Sequence, residues 1–417
     1  MEILDLSGLA QKLFDDVRGI SSDGVGVTRD SYGDGETAAA NYLRQFAQSE
    51  GLRVETDRAA NLIFSLPDTD DDASSIWVGS HMDSVPQGGN FDGLAGIVAG
   101  LLCVIAQKQR GRSSPTPVRT IAFRGEESAW FGKAYMGSGA IFGKLSAEDL
   151  KLKHRLTGKP LSNYMEQAGA DIVAIAAQEL LFDRNKAKAY LELHIEQGPI
   201  MVARNIALGV VPGIRGNVRH NRVTCLGEAG HSGAVPRWLR HDAMFAVADL
   251  ITRLDEHWRA LLERGIDLVM TAGVVGTDPA EHSISRIPGM VNFSFEARSK
   301  SRETLEGFYQ LMRSECASIS RERGVKFEFD RRLESAPATM DDAICAALAA
   351  SCERIGTRYE MVPSGAGHDA SLFANAGIPS GMLFIRNENG SHNPHEAMDL
   401  DDFMLGVRVL SDTVDRL

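Results

Sequence analysis

The sequence predicts an α/β protein: a mixed-sheet domain interrupted by an inserted ferredoxin-like α+β sandwich. Two observations predict it. In the first half, short runs of branched and aromatic residues alternate with helical stretches, as in layered strands and helices. After Val210, Val211, Pro212 and Gly213, a hinge-like break, the order changes to β-α-β-β-α-β, and the earlier alternation resumes from Leu333. The expected domains are therefore 1–211 with 332–417, and 212–331 between them.

The elements follow in order. Residues 76–79, 118–123 and 189–195 read as strands, and 93–109, almost wholly apolar, as a buried helix. The insert starts with a strand at 223–229 and an amphipathic helix at 242–263. Strands at 267–275 and 290–297, a helix at 302–323 and an alternating strand at 325–331 complete it. A helix at 341–355 and a strand at 381–385 return to the first pattern. Ligands of such sheets gather at the carboxyl ends of strands.

Composition excludes more than it selects. The 417 residues are 43% apolar and 24% charged, which suits a large globular core without disulfides. A formal net charge of −12 repels phosphate, so neither nucleic acid nor an anionic membrane surface is an expected partner. The densest acidic run, 68–72 beside Pro67, reads as a solvated loop. Cys103, Cys225, Cys316, Cys345 and Cys352 are scattered, with no CxxC pair, which points to a reducing compartment and away from a thiolate zinc site. Residues 1–20 lack the basic flank of a signal peptide, and the longest apolar run, 94–106, is too short for a bilayer. A soluble, cytoplasmic protein is the expectation.

Four clusters carry chemistry. A strand ending at His81 is followed by Asp83 and by a glycine-rich turn, Gly88, Gly89, Asn90, Phe91, Asp92, Gly93. The glycines let the turn bring His81 and Asp92 to one point, while Asp83 is placed to hydrogen-bond the other imidazole nitrogen. Alone, His81 reads first as an ordinary loop histidine. Glu126 and Glu127 follow the strand 118–123, and successive side chains point apart, so one carboxylate can hold a metal while its neighbour handles a proton. On 189–195 and just beyond, Glu192, His194 and Glu196 share a face by period two; a polar face there needs a metal, a polar substrate or solvent at a sheet edge. The last cluster is Ser364, Gly365, His368 and Asp369, then His392 and His395, which spacing alone does not rank. His81, Asp92, Glu127, His194 and one late histidine make five N/O donors, enough for two zinc-like ions sharing a carboxylate.

These motifs, collinear over nearly the whole chain, resemble the hydantoinase/carbamoylase branch of the M20 metallopeptidase superfamily. That branch holds N-carbamoyl-L-amino-acid hydrolases, allantoate amidohydrolases and β-ureidopropionases. The resemblance implies a dinuclear-metal catalytic domain, an inserted lid that is also the dimerisation domain, and a homodimer. It implies that His81 and His194 hold one ion, Glu127 and a late histidine the other, with Asp92 bridging. The family's His-x-Pro-x-Glu selects His392. The metals would be zinc, with manganese or cobalt as alternatives. Glu126 takes the role of general base toward the bridging water. Gln197, Gly365 and His368 would face substrate, as would the lid residues His231, Ser285 and Arg298, His231 as an electrophile and Arg298 paired with the substrate carboxylate.

The implied reaction is hydrolysis of the linear C–N bond of a small anionic N-carbamoyl (ureido) amino acid. Allantoate is the alternative substrate, an N-acyl amino acid or dipeptide a third, and an inactive metal-binding relative the non-enzymatic alternative. Three positions depart from the family: Ser285 stands for a usual Asn, Trp130 for a usual Arg, and Val235-Pro236-Arg237 for Thr-Pro-Met. All three are expected where the family reads its substrate.

Overall fold

The computed structural model describes residues 6–111 and 116–417. The first five residues of the stretch read as lacking a signal peptide lie outside the described residues. The chain divides into two compact units, Met1–Pro212 with Thr339–Leu417, and Gly213–Ala338. The second boundary falls later than the expected 331/332. Leu333–Ser335 is a strand pairing with Gly216–Leu226, so this short stretch completes the inserted unit's sheet instead of opening the next.

The first unit is built on an eight-stranded sheet. Its strands β1 (Arg53–Thr56), β2 (Leu62–Ser65), β3 (Ser75–His81), β4 (Val118–Phe123), β5 (Ala187–Ile195) and β6 (Leu208–Val211) are joined by Tyr359–Met361 and Ser380–Ile385. The order is β1-β2-β4-β3-β5, then Ser380–Ile385, β6 and Tyr359–Met361. β4, β3, β5 and Ser380–Ile385 run parallel, so their carboxyl ends stand side by side. β1, β2 and β6 pair antiparallel, which makes the sheet mixed. Every residue of β3 and β4 is buried, the polar Ser75, Ser80, Arg119 and Thr120 included, and the Leu94–Gln109 helix packs on both strands.

The helix read at 93–109 is Leu94–Gln109, buried almost throughout. Tyr190 and Phe373 stack at 4.0 Å between ring centroids in an aromatic core that includes Phe123, Phe142 and Phe182. β5 lies between β3 and Ser380–Ile385, buried from Ala189 to Ile195, so its polar face is not at a sheet edge. All five cysteines are buried and unpaired.

The inserted unit orders its strands as Val269–Thr271, Met290–Ser299, Gly216–Leu226 and Lys326–Phe329, all antiparallel, as in a ferredoxin-like sandwich. Val291, Phe293, Phe295 and Ala297 alternate inward and pack with Leu250, Leu254, Phe308 and Met312 of the helices Ala243–Glu263 and Arg302–Arg323. Asp242 and Ser301 cap those helices by accepting backbone N–H groups. The first strand begins at Gly216 instead of 223, since Asn217, Arg219 and Arg222 disguise it as a loop. The strand expected at 267–275 is split into Val269–Thr271 and Val275–Gly276. Thr271 faces Glu296 and Val275 faces Phe293, so four steps on one strand match three on its partner and one residue bulges out.

Candidate metal centre

The parallel strand order decides which side chains meet. His81 ends β3, Glu126 and Glu127 follow β4, His194 sits near the end of β5, and His392 comes from the loop after Ser380–Ile385. Asp92 arrives on the turn that opens the Leu94–Gln109 helix. Gly93 there has φ +70, and a Cβ on it would stand 2.5 Å from the His81 ring, so only glycine lets Asp92 and His81 approach.

Four of the five donors gather around the two oxygens of the fifth, Asp92. Its Oδ1 lies 3.4 Å from His81 Nε2 and 3.2 Å from His194 Nε2. Its Oδ2 lies 3.4 Å from His392 Nε2, which is 3.1 Å from Glu127 Oε1. Two donor groups result, His81–Asp92–His194 and Asp92–Glu127–His392, sharing one carboxylate. Oδ1 is buried and has no hydrogen-bond partner among the described residues. An orphaned buried oxygen between two imidazoles is costly, and a cation would satisfy it. Hydrogen bonds with Asp92 and Glu127 push His392 up to about 11, so a bound cation would have to displace its proton. His395, the other late histidine, is exposed as His392 is, but of the two only His392 pairs with Asp92 and Glu127 among the described residues.

A further layer of side chains holds these donors. Asp83 stands 3.2 Å from His81 Nδ1, and its two oxygens accept the backbone N–H groups of Glu126 and Glu127 at 3.0 Å each, with the Ser31 hydroxyl at 2.6 Å. One buried carboxylate thus orients a histidine and both glutamates. His194 Nδ1 donates to the Ile195 carbonyl at 2.9 Å, which leaves Nε2, accepting the Gly93 N–H at 3.3 Å and lying 3.2 Å from Asp92 Oδ1, as the nitrogen open to a cation. Glu36, fully buried, accepts from Arg124 Nε at 2.7 Å and from the Gly125 N–H at 2.8 Å, setting the backbone just before Glu126. Burial holds the Glu126 carboxyl well above the usual carboxylate range; nearby Glu127 and Asp369 reinforce this and His81 opposes it. Such a group is a ready proton acceptor beside the donors.

Gln197 has φ +64 and donates from Nε2 to Asp92 Oδ2 at 2.8 Å, while its Oε1 is buried with no hydrogen-bond partner among the described residues. His368 is buried edge-on against His194, ring centroids 4.4 Å apart, with Nε2 2.8 Å from the Ser364 hydroxyl. Burial keeps its pKa well below the usual imidazole value. Gly365 lies in the loop just before it. His231, Ser285 and Arg298 belong to the inserted unit. There Gly230–His231 pairs with Arg286–Ile287, Ser232 donates to the Ser285 carbonyl at 2.8 Å, and Arg298 donates to Glu296 at 3.0 Å.

Two sequence readings are corrected. Glu196 does not share the face of Glu192 and His194: β5 ends at Ile195, and Glu196 turns away to accept the N–H groups of Ile200 and Met201. Trp130 is not an open substrate-reading position. It is buried, stacked on His154 at 5.4 Å, and its indole N–H donates to the Ser84 carbonyl at 2.7 Å. Glu396 enters the sequence reading only as the end of His-x-Pro-x-Glu, with no role of its own. Glu396 accepts the N–H groups of Phe91 and Asp92 at 2.8 and 3.3 Å and the Ser391 hydroxyl at 2.6 Å, and so fixes the Asp92 turn. A Cβ on Gly89 would come within 2.1 Å of its carboxyl carbon, so this glycine was the available signal.

The geometry agrees with what the chain is similar to. Residues 77–416 match peptidase family M20/M25/M40. The chain is 34% identical over 392 residues to an N-carbamoyl-L-amino acid amidohydrolase of Geobacillus stearothermophilus, covering 93% of each chain. It is 30% identical over 387 residues to an allantoate amidohydrolase of Escherichia coli (strain K12), covering 93% of this chain and 92% of that one. A crystal structure of a hydantoinase/carbamoylase family amidase from Burkholderia multivorans superposes with TM-score 0.87 at 26% identity, covering 98% and 97%. The chain belongs to peptidase family M20/M25/M40, a family of metal-dependent hydrolases.

Proposed function

We propose that this metal-dependent amidohydrolase cleaves the linear C–N bond of a small N-carbamoyl amino acid, the chemistry named for its 34% identical relative. One observation carries the proposal: Asp92 presents each of its oxygens to a different set of donors, and the buried Glu126 stands next to one of them. His81 and His194 would hold one divalent ion, Glu127 and His392 a second, and Asp92 both. The N/O donor set suits zinc, and manganese or cobalt as well. When bound, such ions lower the pKa of a water and stabilise negative charge on the reacting oxygens.

Glu126 takes the proton from the water that attacks the carbamoyl carbon. The C–N bond to the amino acid then breaks, and Glu126 returns the proton to the departing nitrogen. Carbamate leaves and decomposes to ammonia and carbon dioxide. Gln197 and Asp83 keep Asp92, His81 and Glu126 in place. The inserted unit serves as lid, with His231 and Ser285 as polar contacts to substrate and Arg298 as the partner of its carboxylate, where a guanidinium fork fits. In the first unit, Gly365 and His368 would face the substrate.

The enzyme is a homodimer through this unit, a reading supported by Trp238, Leu239 and Phe245, which stand exposed on it. Five buried, unpaired cysteines support a cytoplasmic location. No helix of the described residues is long and apolar enough to cross a membrane.

The test is a panel of N-carbamoyl amino acids, N-carbamoyl-β-alanine and allantoate incubated with the Zn²⁺-, Mn²⁺- or Co²⁺-loaded protein. Ammonia release from N-carbamoyl α-amino acids is expected. Release from allantoate alone would move the assignment to the chemistry of the 30% identical relative. No release from any ureido acid would refute both.

A further inference from the structure

Arg29 is fully buried, one of the largest side chains in the core, and it lies before the residues that match the family. Its guanidinium donates to the Met82 carbonyl from Nε at 2.6 Å, to Asn90 Oδ1 from Nη1 at 3.1 Å, to the Ser21 hydroxyl at 3.4 Å and to the Asn90 carbonyl from Nη2 at 3.5 Å. Its backbone N–H donates to the Ser84 hydroxyl, and its carbonyl accepts the Ser84 N–H, each at 2.9 Å. All of these acceptors are neutral, and among the described residues no carboxylate lies within ion-pair distance of it. A buried guanidinium is normally paired with a carboxylate, because its desolvation is expensive. This one is compensated at longer range by Glu396, Asp83, Asp92 and Glu36, while burial lowers its pKa to about 10, so it stays charged at neutral pH. Asn90 is tied a second time, through Nδ2 to the Phe14 carbonyl of the Ser7–Ser21 helix at 2.9 Å.

We propose that Arg29 is a positioning residue of the metal centre: its planar fork grips both ends of the 82–90 turn and so holds His81, Asp83 and Asp92 at the spacing two cations need. The turn begins directly after His81 and ends two residues before Asp92. It has little regular backbone pairing of its own, so its shape depends on groups that reach into it. A guanidinium reaches acceptors on opposite sides of the turn with fixed geometry, and a lysine ammonium reaches one side only. Outer-shell groups of this kind typically tune metal affinity by about 10- to 100-fold.

The inference rests on the metal-centre reading above. Its test uses full-length Arg29→Lys, Arg29→Met and Asn90→Ala proteins, stripped of metal and titrated with Zn²⁺ against a chromophoric chelator. Circular dichroism and thermal unfolding of the metal-free proteins report whether each folds. Zn²⁺ affinity is expected to fall by about 10- to 100-fold in both Arg29 variants, with lysine giving no full rescue, and to fall in the same direction in Asn90→Ala. At saturating Co²⁺ the visible absorption bands of the variants are expected to shift, which lost stability alone would not cause. Wild-type affinity in a folded Arg29→Met, or in Asn90→Ala should the Arg29 variants not fold, overturns the proposal. So does full restoration by lysine, which would assign the effect to charge alone, or an unshifted Co²⁺ spectrum. A wild-type protein that binds no divalent ion overturns the metal-centre reading itself.

Discussion

Glu126 and Glu127 are adjacent in sequence and opposite in use. Asp83 binds both of their backbone N–H groups, so their side chains diverge from a common anchor: Glu127 toward His392, Glu126 into a buried setting that raises its affinity for a proton. Replacing Glu126 with Gln keeps size and hydrogen bonding but removes the proton acceptor. We expect kcat to fall by about 10²- to 10⁴-fold with metal content unchanged, read by ammonia release and elemental analysis. Retained turnover would remove Glu126 as the base. At this scale the sequence was informative where a residue stands at a strand end with a turn glycine beside it, as for His81 and Asp92. It gave no role to Glu396, whose partners Phe91 and Asp92 are some three hundred positions away, and was wrong on Glu196, because the strand stops one residue before it.

At the scale of elements, the loops after the parallel strands carry the donors, and buried ion pairs fix those loops. Glu36, from the Asp34–Ser49 helix, pairs with Arg124 at 2.7 Å with both side chains buried, and it also accepts the N–H groups of Tyr32 and Gly125. Glu36→Gln leaves Arg124 buried without its countercharge. Burial pushes the Glu36 carboxyl up to about 7 even beside Arg124, so the expected loss of about 3–5 kcal/mol of unfolding free energy belongs above that pH and is measured there by urea denaturation of the metal-free protein. A loss under about 1 kcal/mol would mean that water reaches the guanidinium. Element types were legible from periodicity, and the helix read at 302–323 is Arg302–Arg323 as expected. Ends were less so. The Gly216–Leu226 strand hides its first half behind solvent-facing polar residues, and a one-residue bulge breaks the strand expected over 267–275.

For the whole molecule, a net charge of −12 looks like simple solubility, yet buried acids at one point contribute to it: Asp83, Asp92, Glu126 and Glu127. Two dications would offset part of that excess. Chelation should therefore lower the thermal midpoint, and metal at about 100-fold above its Kd should restore roughly 2.7 kcal/mol per site, read by thermal unfolding with and without chelator. At a fixed metal concentration the gain should grow as pH rises, because the cation competes with the proton that Asp92 and Glu127 hold on His392 up to about 11. A midpoint insensitive to chelator would argue against a metal in the native fold. By itself the sequence determined the two-part α/β plan and the residue types able to bind cations, because periodicity and turn glycines are local properties. Only the tertiary structure decided that β5 is central and that Glu36, Glu396 and Arg29 hold the site. Those outcomes depend on strand order and on contacts between distant positions, and neither leaves a mark in local spacing.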